Sequence, residues 1–435
     1  MHDVPDNFDI NLTEISKIEG SASLEVKIRN KKIEDLKFSI SEWKRFYTQA
    51  IQGKPAVAVP QLVARICGTC SNAHLLCSIK TVEKALGIIP SSQTMLLRRL
   101  IYNGLIIRDH ALHLYIFALP DLYNKNSILD FDENDPLQKQ LLEDTFEIKE
   151  VGNRLSKIVG GRSVHAPYPT IGGFLTYPHI QELKNLRDTL IAVRPKIFRL
   201  IEIFAKSSFS LSLPNIIFNG LSSQDYSFLT GQLVSSQGNI LPEERMSEHV
   251  EAVVIPYSHA RGFTYKGSTM MVGALARINL YKKSLHAKTK ADTKMYLDLF
   301  PSYNLFHNNL AQALEILHVI DTSSEIIDGI STITSEEKIP VHPKQSVGVG
   351  VIEAPRGTLY HKYEIDDNGI VQKGEIIVPT GQNQVLMEKS IHILLESLLK
   401  KDTPKEQIIL EVEKLIRAFD PCMSCASHFL KVKWS

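Results

Sequence analysis

Cysteine is scarce in this chain, with five in 435 residues. That is too few for a disulfide scaffold, and a chain this long builds a core without staples. Neither sign of charge is in excess: 49 Lys and Arg stand against 48 Asp and Glu, for a formal net charge of +1. The balance removes the electrostatic case for nucleic acid or a membrane surface. No apolar run approaches the ~20 residues of a spanning helix. The opening Met1-His2-Asp3-Val4-Pro5-Asp6 has neither the basic nor the apolar region of a secretory signal. No Gly-x-Gly-x-x-Gly fingerprint and no ferredoxin-like cysteine spacing occurs, so the chain carries no nucleotide-binding or cluster-binding motif of its own. What remains is ordinary globular composition, 43% hydrophobic and 22% charged. The expectation is a soluble, cytoplasmic protein.

Four of the five cysteines form two Cys-x-x-Cys pairs near opposite ends of the chain: Cys67 with Cys70, and Cys422 with Cys425. Three chemistries use such sulfurs. A structural zinc site takes four thiolates tetrahedrally, and spacing alone gives it the most weight, although zinc knuckles keep their pairs within ~15–20 residues. A dithiol redox motif needs one pair only. A buried redox metal such as nickel or iron also takes soft, deprotonated sulfur. Cys77 stands outside both pairs and reads as a small buried hydrophobe.

Hydrophobic periodicity outlines the fold. Leu24, Val26 and Ile28 alternate with polar residues, turn at Asn30-Lys31-Lys32 and resume at Leu36, Phe38 and Ile40. Ser91 or Ser92 caps a helix that runs to a stop near Pro120. Further helices are expected over 141–159, 180–206 and 304–327, and two closing helices over 384–400 and 405–419. Between 346 and 379 the pattern returns to period two, with a turn at Asp366-Asp367-Asn368-Gly369. The whole reads as mainly α: one multi-helical body over 1–435 with small β excursions at about 18–40 and 346–379. For all four sulfurs to share one ion, segments from both ends must meet in the interior.

The residues around the cysteines resemble a known family. Arg65-Ile66-Cys67-Gly68-Thr69-Cys70 with His74, and Asp420-Pro421-Cys422-Met423-Ser424-Cys425 with His428, are similar to the two signature motifs of nickel-iron hydrogenase large subunits. Lys17-Ile18-Glu19-Gly20 resembles the family's Arg-Ile-Glu-Gly segment, with Lys for Arg. Arg108-Asp109-His110, Gly160-Gly161-Arg162-Ser163-Val164-His165, Glu353-Ala354-Pro355-Arg356-Gly357 and Val378-Pro379-Thr380 extend the likeness along nearly the whole chain. Met271-Val272-Gly273-Ala274 and the stretch around Asn308 look most like the cytoplasmic, NADP-linked sulfhydrogenase branch.

The resemblance implies reversible heterolytic cleavage of H2 at a nickel–iron centre whose iron carries carbonyl and cyanide. Cys67 and Cys422 would be terminal nickel ligands, with Cys70 and Cys425 bridging to iron. Cys422 and then Glu19 would take the proton, and Arg356 would stand over the open metal position. Asp109 would orient Arg356, Thr380 would donate to a cyanide, and His74 would hydrogen-bond a bridging sulfur. His110, His113 and His165 read as structural. Family members hold a magnesium through the final His, a backbone carbonyl and a Glu. Here His428 and Ile376 match, but Thr48 stands where the Glu belongs, a poorer ligand that a water or Glu42 would have to replace. The resemblance also implies an iron–sulfur small subunit, flavin- and NADP-binding diaphorase subunits with NAD(P) or ferredoxin as acceptor, and a maturation protease, for which 429–435 is either a tail to be removed or a short one retained in the mature chain. The competing readings are a non-catalytic scaffold like the quinone-side subunit of respiratory complex I, and a zinc-stabilised structural protein.

Overall fold

The computed structural model describes residues 6–43 and 45–427. His428 and the tail beyond it lie outside the described residues. Three strands open the chain as an antiparallel meander: β1 (Phe8–Leu12), β2 (Ala22–Arg29) and β3 (Lys32–Ile40). Ala22, Leu24, Val26 and Ile28 all point inward, as the period of two dictates.

Helices follow. In α1 (Ser71–Leu86) the first residue comes directly after Cys70. The helix α2 (Ser92–Ala111) begins at Ser91, whose hydroxyl accepts from Thr94 N. The helical run ends at Leu122, close to the expected stop at Pro120, but it is not uniform. The coil widens to a π-helix over Leu112–Ala118 and re-tightens over Leu119–Leu122. Pro120 lies in the first turn of that last piece, where its missing N–H costs nothing. Then come α3 (Pro136–Gly160), capped by Asp135, and α4 (Ile180–Ala205). Two glycines set how closely α2 and α3 approach. A Cβ on Gly104 would lie 2.8 Å from Gly152 O, and one on Gly152 would lie 2.7 Å from Arg108 N. The backbones therefore touch, and Arg108-Asp109 is pressed into the interior.

The middle of the chain departs from the mainly helical expectation. Six short strands run between residues 217 and 271: β4 (Ile217–Ser222), β5 (Gln232–Ser235), β6 (Ile240–Leu241), β7 (Val250–Val253), β8 (Gly262–Tyr265) and β9 (Met270–Met271). They form a four-stranded sheet and a two-stranded ribbon. Leu221, Phe263 and Met270 share a small core of their own with Val351 and Tyr360. The chain then enters α5 (Ala274–Tyr281) and α6 (His307–Gly329). The second of these is buried nearly all round, a central helix able to carry polar residues inward.

The expected β segment before the closing helices is a three-stranded antiparallel sheet: β10 (Ser346–Ala354), β11 (Gly357–Ile365) and β12 (Val371–Ile377). Ala354 pairs with Gly357, so Pro355 and Arg356 are the two-residue tip of a hairpin. The helix α7 (Pro379–Lys400) starts five residues before the hydrophobic period suggests, with Pro379 at its first position, and α8 (Lys405–Ala418) closes the framework. Among the described residues, no helix is long and apolar enough to cross a membrane.

Candidate metal centre

The sulfurs from opposite ends of the chain converge. Cys67 is extended after the tight turn Ala64–Ile66, and Cys70 abuts the N-terminus of α1. Cys422 is extended ahead of the single helical turn Met423–Ala426, which carries Cys425. All four Sγ atoms lie within 4.8 Å of one another, and all four residues are buried. Cys422 Sγ is 2.9 Å from Cys425 Sγ and 3.4 Å from Cys67 Sγ, and Cys70 Sγ is 3.1 Å from Cys425 Sγ. None forms a disulfide.

Electrostatics shows what such a cluster is built to hold. By themselves, four sulfurs this close share negative charge unevenly. Cys67 accepts hydrogen bonds from Cys422, Cys425 and Cys70, which hold its thiol well below the usual range. Cys70 also gains from Cys422 and Cys425, but the bond it gives Cys67 and its burial push it up to about 11. Burial drives Cys422 and Cys425 well above the ordinary thiol value. One sulfur takes the charge at the expense of the rest. Four thiolates become favourable only around multivalent cations, whose own charge inverts this balance.

Around the sulfurs, the chain supplies acids and bases in fixed places. Glu19 pairs with Cys422 in an isolated parallel bridge, and Met423 N donates to Glu19 O at 2.9 Å. Cys422 Sγ and Ser424 N each donate to Glu19 Oε2 at 3.1 Å, and Ser424 Oγ donates to Oε1 at 2.6 Å. Burial and the nearby Cys67 charge raise the Glu19 carboxyl above its ordinary value, against those hydrogen bonds. The segment is anchored from behind. Lys17 Nζ reaches Asp121 Oδ1 at 2.6 Å, and Asp121 accepts both arms of Arg417.

Arg356, at the hairpin tip, donates to Asp109 Oδ1 at 2.8 Å and to Asp420 Oδ1 at 2.9 Å. Those two carboxylates and the sulfurs of Cys422 and Cys70 keep its guanidinium firmly charged despite burial. Arg356 Nε and Asp109 Oδ2 are buried without a protein partner, so hydrogen-bonding capacity is left open beside the sulfurs. Thr380 Oγ1 accepts from Cys422 N at 2.9 Å, which leaves its own proton free to donate. His74 Nε2 lies 3.5 Å from Cys425 Sγ.

Other participants were given no role by the motifs. Asp420 opens the second motif and Ser424 sits inside it, but spacing assigns a role to neither. His361 stands 3.3 Å from His74 Nδ1 and 2.7 Å from Tyr363 OH, fixing the His74 ring from behind. Arg108 donates to Ser163 O at 2.8 Å and to Thr69 O, tying the Gly160–His165 stretch to the first cysteine motif. Of the residues read as structural, His110 pairs with Glu315 and His113 with Gln312 and Arg417 O. Cys77 is buried against Gly350 O and Leu359 O.

The magnesium set fares differently. His428 lies outside the described residues. Thr48 Oγ1 is bound to Gln49 Oε1, and Glu42 is engaged by Ser21 N and faces Arg45. Ile376 sits opposite His361 in the sheet. Among the described residues, the four sulfurs are the only cluster of His, Cys, Asp or Glu with metal-ligand spacing. Among the described residues, neither Thr48 nor Glu42 is free to replace the expected Glu.

The model for nickel-dependent hydrogenases matches residues 45–163 and 222–428, both cysteine motifs included. The chain belongs to the nickel-dependent hydrogenase family. Among curated relatives of this hydrogenase, the sulfhydrogenase 2 subunit alpha of Pyrococcus furiosus is 33% identical over 425 residues, covering 97% of this chain and 100% of that one. The sulfhydrogenase 1 subunit alpha of the same organism is 30% identical over 432 residues, covering 97% and 98%. An NAD+-reducing NiFe hydrogenase in its H2-reduced state shares the fold with a TM-score of 0.84 at 22% identity, over 98% of this chain and 100% of that one. The hydrogenase's four intact sulfurs fit a nickel–iron centre, and the chain is the catalytic subunit. A scaffold that has lost its cysteines and a zinc-stapled structural protein are both set aside.

Proposed function

We propose that Cys67, Cys70, Cys422 and Cys425 would together hold a nickel–iron pair whose iron carries carbonyl and cyanide, and that Cys422 and Glu19 form the proton's way out. The observation that carries this reading is the Glu19 carboxylate 3.1 Å from Cys422 Sγ, in a paired segment that fixes it there. The metal pair, when bound, supplies the electron-accepting half of heterolytic H2 cleavage.

The chain's own residues supply the other half. Cys422 Sγ receives the proton, and Glu19 Oε2 takes it across a preformed hydrogen bond. Glu19's raised pKa brings a carboxyl nearer to the working pH, where an acid–base group is most effective. Arg356 places fixed positive charge beside the reacting site, and Asp109 and Asp420 hold it still. Thr380 and the free Arg356 Nε offer donors to the diatomic ligands. His74 orders Cys425. The electrons leave through an iron–sulfur small subunit to flavin- and NADP-binding diaphorase subunits in the cytoplasm. The likeness to sulfhydrogenase alpha subunits and to the fold of an NAD+-reducing enzyme supports that route.

Purifying the chain with its co-purifying subunits tests the proposal. Nickel and iron in equal amounts, infrared bands of metal-bound carbonyl and cyanide, flavin, and H2-dependent reduction of NADP are expected. Zinc without those bands refutes the centre. A flavin-containing complex that oxidises H2 yet reduces no pyridine nucleotide refutes the electron route.

A further inference from the structure

Behind the hairpin tip lies a set of buried charges that the chemistry above does not use. Arg277, on α5, is among the largest fully enclosed side chains. Its Nε and Nη2 donate to Glu315 at 2.6 and 2.7 Å, and its Nη1 donates to Glu353 Oε2 at 2.7 Å. The remaining donors go to two backbone carbonyls, Ala354 O at 3.1 Å and Pro355 O at 2.9 Å. All five guanidinium N–H groups are therefore engaged, two of them by the residues directly preceding Arg356. Glu353 is itself pinned, its Oε1 by Leu221 N at 2.6 Å and its carbonyl by Tyr102 OH at 2.5 Å.

The same helix meets Arg356 at a second point. Gly273, just before α5, has φ +115°, and a Cβ built there would stand 3.0 Å from Arg356 O. Arg277 N donates to Gly273 O, so the two contacts are one helical turn apart. Gly357, on the far side of the tip, lies against Val272, whose N and O are both bound by Asn383.

We propose that the start of α5, through Gly273 and Arg277, is a saddle that sets the position of Arg356 beside the metals. Arg277 is thus a positioning residue. It touches no reacting atom and acts through the Ala354 and Pro355 carbonyls. Asp109 and Asp420 hold the guanidinium end of Arg356, and the saddle holds its backbone. The inference rests on the proposed role of Arg356. A misplacement of about 1 Å at such a group costs on the order of 10²-fold in rate. Lysine cannot stand in for Arg277, because a single ammonium can stay between the two glutamates but cannot also reach both carbonyls.

The test uses the holoenzyme with three variants: Arg277→Lys, Gly273→Ala and, as a reference, Arg356→Lys. Each is assayed for nickel per chain, carbonyl and cyanide stretching bands, H2-oxidation kcat, and amide exchange of the peptide spanning 354–357. In the first two variants, nickel retention, displaced bands, faster exchange at 354–357 and a kcat about tenfold to a hundredfold lower are expected. Wild-type bands, exchange and kcat in a nickel-loaded variant would overturn the proposal. Loss of nickel from both would overturn it too, because α5 would then support the whole framework and not Arg356. If Arg356→Lys itself leaves bands and kcat unchanged, the role of Arg356 fails, and the exchange rates still report on the saddle.

Discussion

Replacing Glu19 by Gln should separate proton transfer from assembly. The amide keeps the shape of the carboxyl, and its oxygen can stay in the Oε2 position, accepting from Ser424 N at 3.1 Å. The new NH2 then faces Ser424 Oγ, now 2.6 Å from Oε1, and a hydroxyl can turn to accept as readily as to donate. No buried polar group is stranded. Burial and the Cys67 charge already favour the neutral form of Glu19, so a neutral amide adds no desolvation cost. The expected stability change is below about 1 kcal/mol, within the range of a conservatively replaced hydrogen bond. Catalysis should respond differently, because Gln cannot accept the proton. Loss of a placed acid–base group lowers rates by about 10²–10⁴-fold, or roughly 3–5 kcal/mol of barrier. Exchange of dideuterium with water, followed by mass spectrometry of HD and H2, reads this step without any electron acceptor. Nickel content and thermal midpoint report assembly. Glu19→Asp supplies an intermediate case: retracting the carboxylate by roughly one C–C bond length, about 1.5 Å, breaks the contact with Cys422 without removing the charge. If Glu19→Gln keeps its nickel and exchanges within threefold of wild type, the proton leaves by another path.

Other perturbations test neighbouring parts. Cys422→Ser should abolish nickel retention or turnover, measured by metal analysis and H2 oxidation; a loaded, active serine variant would remove Cys422 from the ligand set. Asp109→Asn leaves the buried Arg356 charge with Asp420 alone. Breaking half of such a network costs about 3–5 kcal/mol, so a fall in thermal midpoint together with weakened H2 oxidation is expected, and an unchanged midpoint counts against the pairing. Glu353 makes a pH-dependent contribution. Burial first of all, against the attraction of Arg277, raises its carboxyl from 4.5 to about 7. The folded chain therefore binds a proton that the unfolded chain releases, and the stability this gives is present below pH 4.5 and lost as pH rises to about 7. The total is about 3 kcal/mol. Glu353→Gln should lack that decline, so its thermal midpoint relative to wild type should rise between pH 5 and pH 8. A constant difference would refute the buried titration.

The helices that were legible in the sequence are those with local punctuation. Ser91 announces the start of α2, because a cap needs only its own next turn, whereas α3 begins at Pro136, five residues before the hydrophobic period suggests. Pro120 marks the end of the helical run to within two residues, whereas α7 starts at Pro379, five residues ahead of the hydrophobic period, because a proline is at home in a first turn. The strands between 217 and 271 are two to six residues long, too short for a period of two to emerge from noise. The cysteines were legible because their type and spacing are rare in combination. Asp420, Ser424 and His361 were not, because a buried polar side chain is defined by the partner that folding brings to it. The Arg277, Glu315 and Glu353 cluster is the extreme case: each residue looks like an ordinary charge until α5, α6 and β10 meet.

The pairing of Glu19 with Cys422 joins residues from the two ends of the chain. Because that bridge and the Met423 N–Glu19 O hydrogen bond tie the carboxylate to the segment bearing the second cysteine pair, any displacement that parts the two sulfur pairs also changes where the proton acceptor stands.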